Sequence, residues 1–206
     1  MSKTEVVLAT KNRGKVRDFS DIFNQTGLSG RVTLLDLSTF PGFPDVPEDG
    51  ATFSENALIK ARVAAEHTGM IALADDSGIV VDALDGAPGI YSARFAGPNA
   101  DDRANNEKLL RMMKDVPEKE RTATFRASVA IVSPEGRETV VTGECRGLIA
   151  DAPLGTNGFG YDPLFFYPPL KKTYGQMADS EKNSISHRRR AIEAAASELM
   201  RFINDG

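Results

Sequence analysis

Two adjacent carboxylates, Asp75 and Asp76, stand where an apolar run over 70–74 meets Ser77-Gly78. The pattern predicts a short buried strand over 70–74, a turn at Ser77-Gly78, and a second strand beginning at Ile79-Val80-Val81. Acids pressed between buried strands repel each other and lose hydration, and a divalent cation relieves both costs. Strand ends in α/β folds are also where sites gather. The plainer alternative is an Asx-type turn with both side chains in solvent.

Three further groups carry chemistry. Ala9-Thr10-Lys11-Asn12-Arg13-Gly14-Lys15-Val16 nearly fits the phosphate-binding pattern G-x-x-x-x-G-K-[ST]. Ala9 replaces the first glycine and Val16 the last hydroxyl, a magnesium ligand in true P-loops, so that assignment fails. Its physics survives: a strand-to-helix turn with Thr10, Asn12, Lys15 and free N–H groups can hold a phosphate, unless Asn12 is an ordinary N-cap. Gly158-Phe159-Gly160-Tyr161-Asp162-Pro163 surrounds an aromatic ring with glycines, which suits stacking on a planar ligand, although a core phenylalanine is the ordinary reading. Lys182 and the run Ser186-His187-Arg188-Arg189-Arg190 open the last helix. Arginines in a first turn oppose the helix dipole unless an anion is near or solvent absorbs the charge.

The helix opening at Thr52-Phe53-Ser54-Glu55, which has the form of a capping box, sharpens this picture. At 100° per residue, Glu55, Arg62 and Glu66 share a wet side, while Asn56 and Lys60 fall opposite, with Phe53, Ala57 and Ala64. Asn56 and Lys60 are therefore candidate substrate-binding residues. Alanines give a lysine little to snorkel past, so Lys60 should meet an anion, and Lys60→Met should leave stability unchanged or higher while raising KM. Glu48 and Asp49, in the loop before this helix, are candidate magnesium ligands.

The elements that must position these groups alternate between strand and helix. Strands are predicted at 6–9, 32–35, 122–132 and 139–149, the last broken or bulged near Gly143 and Gly147. Helices are predicted after the first strand (Val16, Phe19, Ile22 and Phe23 inward), from Phe53 to near Gly69, around 101–114, and over 186–203. Loops cover 41–50, 86–98 and 155–160. This mixed order predicts an α/β fold with an elongated mixed sheet flanked by helices. The expectation is one domain over 1–206, in two lobes with the site in the cleft between them.

With 206 residues, 41% hydrophobic and 26% charged, the chain can bury one substantial core. A net charge of −4 argues against coating nucleic acid through a broad basic face. Cys145 is the single cysteine and His67 and His187 the only histidines, which excludes a disulfide framework and makes a zinc site improbable. No run is apolar enough to span a membrane and no signal peptide is visible, so a cytoplasmic protein is expected and the sequon at Asn24 goes unused.

Together the groups suggest a nucleoside triphosphate hydrolase. In order along the chain, residues 8–15, 48–57, 74–78, 86–94, 158–163 and 186–188 resemble the inosine triphosphate pyrophosphatase family. Lys11, often small or apolar in the family, and Arg189-Arg190, outside its motif, leave the resemblance intact. It implies Mg²⁺-dependent hydrolysis of hypoxanthine and xanthine (deoxy)nucleoside triphosphates to monophosphate and pyrophosphate, cleansing the nucleotide pool, in a homodimer. By matching position it makes Asp76 the general base, sets Glu48 and Asp76 at the metal, and gives Asp75 and Lys60 supporting catalytic places. Thr10, Lys11, Asn12, Arg13, Gly14, Lys15, Lys60, Ser77 and Lys182 would face phosphates or sugar. Phe159, Gly160, Tyr161, Asp162, His187 and Arg188 would surround the base. Donors at the last helix start would accept a 6-keto group and reject a 6-amino group. The alternatives are a Maf-type pyrophosphatase for other bases, a non-catalytic nucleotide-binding module, and a phosphoaspartyl phosphatase, although the latter lacks its D-x-D spacing.

Overall fold

Alternation in the first strand sets the plan. In β1 (Thr4–Leu8), Val6 and Leu8 enter one buried cluster, whereas Val7 and the following Ala9 enter another. A strand apolar on both faces must be covered on both. The computed structural model, which describes residues 3–204, supplies that cover. After β1 come α1 (Arg13–Gln25), β2 (Val32–Asp36), α2 (Phe53–Thr68), β3 (Ile71–Val81) and α3 (Asp102–Met112). There follow β4 (Thr122–Val132), β5 (Glu138–Ile149), β6 (Phe165–Tyr167), β7 (Lys172–Thr173), α4 (Asp179–Ile185) and α5 (His187–Asn204). The strands form one sheet in the order β2-β1-β3-β4-β5-β6-β7. β1 runs parallel to β2 and β3, while β6 is antiparallel to β5 and β7, so the sheet is mixed as predicted.

The chain divides into two compact units. One comprises the residues up to Asp76, 127–143 and those from Arg188 on; the other comprises 77–126 and 144–187. In the first unit, Val6, Leu8, Leu73, Val129 and Ile131 pack with Phe19, Ile22 and Phe23 of α1 and Ile192, Leu199 and Phe202 of α5. The opposite strand faces, with Val7, Ala72, Ala74, Ala130 and Val132, pack with Ala57, Ala61, Ala64 and Ala65 of α2. Small side chains on both partners bring helix and sheet close together. The second unit has its own core, with Ile79, Leu109, Met113, Phe125, Leu164, Phe165 and Tyr174 among its members. No helix among the described residues is long and apolar enough to cross a membrane.

Two local expectations are corrected. There is no turn at Ser77-Gly78: β3 runs unbroken from Ile71 to Val81 through both acids. Gly78 is there for close approach, since a Cβ would come within 2.3 Å of Ser92 Oγ and 2.6 Å of Gly89 O. Ser92 Oγ accepts the Ile79 N–H at 3.0 Å and donates to Gly89 O at 2.6 Å, which locks the segment after the strand against it. Likewise β5 is continuous past Gly143 and Gly147. The short helix α4 and the two-residue strand β7 were not anticipated.

Candidate active site

Strand geometry separates the two acids. Successive side chains of a strand point to opposite faces, so Asp75 shares the face of Leu73 and Asp76 that of Ala72 and Ala74. Asp75 thus meets α1 and α5, and Asp76 meets α2. The expected mutual repulsion is resolved by direction, and each acid has its own cations.

Asp75 is fully buried, with Lys15 Nζ 2.6 Å from Oδ2 and Arg188 Nε 3.6 Å from the same oxygen. Arg188 also pairs with Asp18 at 2.6 Å. Burial by itself would raise the pKa of Asp75, but Lys15 and Arg188 prevail and hold it well below the usual carboxylate range. On the other face, Lys60 Nζ lies 2.8 Å from Glu48 Oε1, 3.0 Å from Asp76 Oδ1 and 2.9 Å from the Asp75 carbonyl. Lys60 therefore has the anionic partners its place among alanines demanded. Burial would lower its pKa, but Asp76 and Glu48 outweigh that and raise it. Burial is also the largest influence on Asp76 and raises it; Lys60 opposes the rise and Glu48 adds to it.

Asn56 closes this arrangement from α2. Its side chain, wholly buried, donates to Asp76 Oδ2 at 3.2 Å and accepts the Gly50 N–H at 2.8 Å. Both ends of the amide are thus engaged by protein, tying the Glu48 loop to the Asp76 carboxylate. Of the two loop acids, Glu48 faces Lys60 beside Asp76, whereas Asp49 is exposed. Thr52 caps α2 as expected, but Glu55 accepts the Ala51 N–H at 2.7 Å instead of completing the capping box on Thr52.

The turn before α1 combines both sequence readings. Asn12 is an N-cap, its Oδ1 accepting from Gly14 N at 2.8 Å and Lys15 N at 3.2 Å, and Thr10 Oγ1 accepts the Asn12 N–H at 3.1 Å. Two of the helix's N–H groups are therefore already occupied. Lys11 is exposed and reaches Asp45 at 2.9 Å. Beside the turn lies a cavity of about 820 Å³ whose lining includes Thr10, Lys11, Arg13 and Arg17. Three cations against one acid, Asp36, make it attractive to anions.

In the second unit Phe159 is 39% exposed, so its ring is available to a ligand. Asp162 accepts the Phe159 N–H at 2.9 Å and pairs with Lys182, whose Nζ lies 4.9 Å from the Phe159 ring centre. Lys182, expected at the phosphates or sugar, thus belongs with the aromatic group: twenty residues separate it from Asp162, and no local signal announces the pair. His187 is buried and stacked on Phe125, with ring centres 4.7 Å apart and planes at 8°. Arg188, expected around the base, instead serves Asp75 and Asp18. Ser77 is half-buried directly after Asp76, and Tyr161 donates its hydroxyl to Ser92 O at 2.8 Å.

The carboxylates of Glu48 and Asp76 are donors of a kind that suits a metal. Glu48 and Asp76 turn oxygens toward the same ammonium, and hard carboxylate oxygens in a pair, completed by water and substrate phosphate, are what Mg²⁺ uses. No cluster of three or more His, Cys, Asp or Glu side chains among the described residues forms a closed metal cage. The residues fit Mg²⁺ bound in part through substrate.

These features define an α/β protein with buried carboxylates and cations set on three helices and a central strand, beside an anion-attracting cavity. The chain belongs to the Ham1 family, whose model matches residues 6–198. It is 54% identical to a dITP/XTP pyrophosphatase of Geobacter sulfurreducens, over 92% of this chain and 93% of the relative. It is 49% identical to one of Desulforamulus reducens, over 96% of each. Among solved structures, the Ham1 protein of Staphylococcus aureus aligns with a TM-score of 0.84 and 42% identity, over 96% of this chain and 98% of the other. A HAM1 protein from Coxiella burnetii aligns with a TM-score of 0.87 and 38% identity, over 96% and 99%.

Proposed function

We propose that this protein hydrolyses non-standard purine nucleoside triphosphates, dITP, ITP, XTP and dXTP, to the monophosphate and pyrophosphate with Mg²⁺. The observation that carries this reading is the convergence of Glu48 and Asp76 on Lys60, with Asn56 orienting Asp76. Asp76, raised in pKa by burial, takes the proton of the water that attacks the α-phosphorus as the bond to the pyrophosphate oxygen breaks. Lys15, Lys60 and the cations of the Thr10–Lys15 turn offset charge on the phosphoryl oxygens. Glu48 and Asp76 would hold Mg²⁺, which when bound neutralises phosphate charge. Phe159 supplies a stacking face, and donors from Lys182 and the 186–188 backbone favour a 6-keto over a 6-amino purine. A cytoplasmic homodimer with no nucleic-acid or membrane partner completes the reading.

Pyrophosphate release from dITP, XTP and the four standard dNTPs, with and without Mg²⁺, tests it. Turnover of dITP and XTP, with dATP slower by about 10² to 10⁴ in kcat/KM, is expected for donors left buried and unpaired against an amine. Release of orthophosphate through a trapped phosphoenzyme would replace this mechanism with a phosphoaspartyl one.

Two variants refine it. Every base has a π-face, so Phe159→Ala should lower kcat/KM for ITP and ATP by similar factors, about 5- to 100-fold. A collapse of the ITP/ATP ratio in that variant would assign discrimination to the ring. Lys60→Met, expected from sequence to be neutral or stabilising, should instead cost about 3 kcal/mol, because it leaves Glu48 and Asp76 facing each other without their cation. Millimolar Mg²⁺ should raise the melting temperature of this variant more than that of wild type. An equal response in both would separate the carboxylate pair from metal binding.

A further inference from the structure

The loop carrying Phe159 is held by α3, at the peptide of Gly160. Asp102 Oδ2 accepts the Gly160 N–H at 2.6 Å, and Asn106 Nδ2 donates to the Gly160 carbonyl at 2.8 Å. Asp102 and Asn106 are one helical turn apart on one face of α3, so a single rigid element grips both polar ends of one residue. Gly160 has φ +60°, and a Cβ there would meet nothing within 4 Å, so its glycine serves the left-handed backbone and not a tight fit. A glycine in that region is costly to order, and external hydrogen bonds are what hold it.

The two contacts differ in setting. Asp102 is exposed, whereas Asn106 is 8% exposed, with Oδ1 buried and without a hydrogen-bond partner. An amide that gives up one of its ends to reach a loop carbonyl is placed for that bond, since a buried acceptor otherwise finds a partner. The neighbouring Asn105 acts in the same manner on another segment, accepting from Ala96 N at 2.8 Å and donating to Ala93 O at 3.2 Å. Helix α3 is thus a scaffold for loops and not only a cover for the core.

We propose that Asp102 and Asn106 are positioning residues for base recognition, fixing the Gly160 peptide so that Phe159 and Asp162 keep the conformation a purine requires. The inference rests on the functional reading above. It touches no reacting atom, so its effect falls on KM and on choice of base and leaves kcat nearly alone.

Asp102→Ala and Asn106→Asp test it, the second being an isostere that sets an acceptor against the Gly160 carbonyl. Both should raise KM for dITP by about 5- to 30-fold, the factor of one lost hydrogen bond, and narrow the dITP/dATP ratio, with kcat within about threefold of wild type. Asp102→Asn, which keeps an acceptor oxygen, should recover most of the affinity. Hydrogen–deuterium exchange over 158–162 should speed up in the first two variants. Asp102 is exposed, so its variants keep the fold even if Asn106→Asp does not. Unchanged exchange in Asp102→Ala overturns the clamp whatever the activity. Faster exchange with unaltered KM and base ratio overturns the role in recognition. If wild type releases no pyrophosphate from dITP, the functional reading fails, and with it the recognition role, while the exchange measurement still decides the clamp.

Discussion

Asp76→Asn is expected to lower kcat by about 10² to 10⁴ while the chain still folds, the range for losing a general base. The side chain keeps its volume, and its amide oxygen can still accept from Lys60 at the position now 3.0 Å away. What disappears is the ability to take a proton. Asp76 is suited to that task because burial raises its pKa, with Glu48 adding to the rise and Lys60 opposing it. Single-turnover and steady-state rates with dITP, beside a thermal melt, provide the measurement. Wild-type turnover in a folded variant would remove Asp76 from the chemistry.

Asp75→Asn should produce the opposite pattern. The side chain is fully buried between Lys15 and Arg188, and neutralising it leaves two cations facing each other away from water. Breaking a buried ion pair by removing one partner costs about 3–5 kcal/mol, and urea unfolding should show a loss of that order. The pH dependence follows from the lowered pKa of Asp75. The unfolded acid protonates near pH 4 while the folded one stays ionised, so its stabilisation is present above about pH 4 and fades as the pH falls further. The stability gap between wild type and Asp75→Asn should therefore narrow from pH 5 toward pH 3. A variant as stable as wild type but catalytically dead would move Asp75 from structural support into the reaction itself.

These contrasting roles show how far the residues spoke for themselves. Period and capping placed α1 and α2, because apolar spacing at Phe19, Ile22 and Phe23 and the cap at Thr52 are local signals that a chain carries wherever it folds. The inward place of Lys60 and Asn56 followed from helical geometry alone, and with it the need for an anionic partner. The motif order by itself carried the family resemblance, through short segments spread over nearly the whole chain.

What local signals could not supply was direction and distant partnership. Ser77-Gly78 looked like a turn, because serine and glycine favour turns; only the close approach of Ser92 shows that Gly78 is needed inside a straight strand. The continuous strand then sends Asp75 and Asp76 to opposite faces, so that two neighbours in sequence serve different helices. Asp75 meets Lys15 from sixty residues earlier, and Arg188 brings Asp18 from 170 residues away. Lys182 joins Asp162, and Asp102 and Asn106 find Gly160, by the same means. Pairings of this kind arise because burying the sheet's two faces brings whatever stands at the helix and strand ends within reach, and charges left without water there must find each other. The kinds of chemistry were written in the residues; which partners each acid faces was decided by the packing.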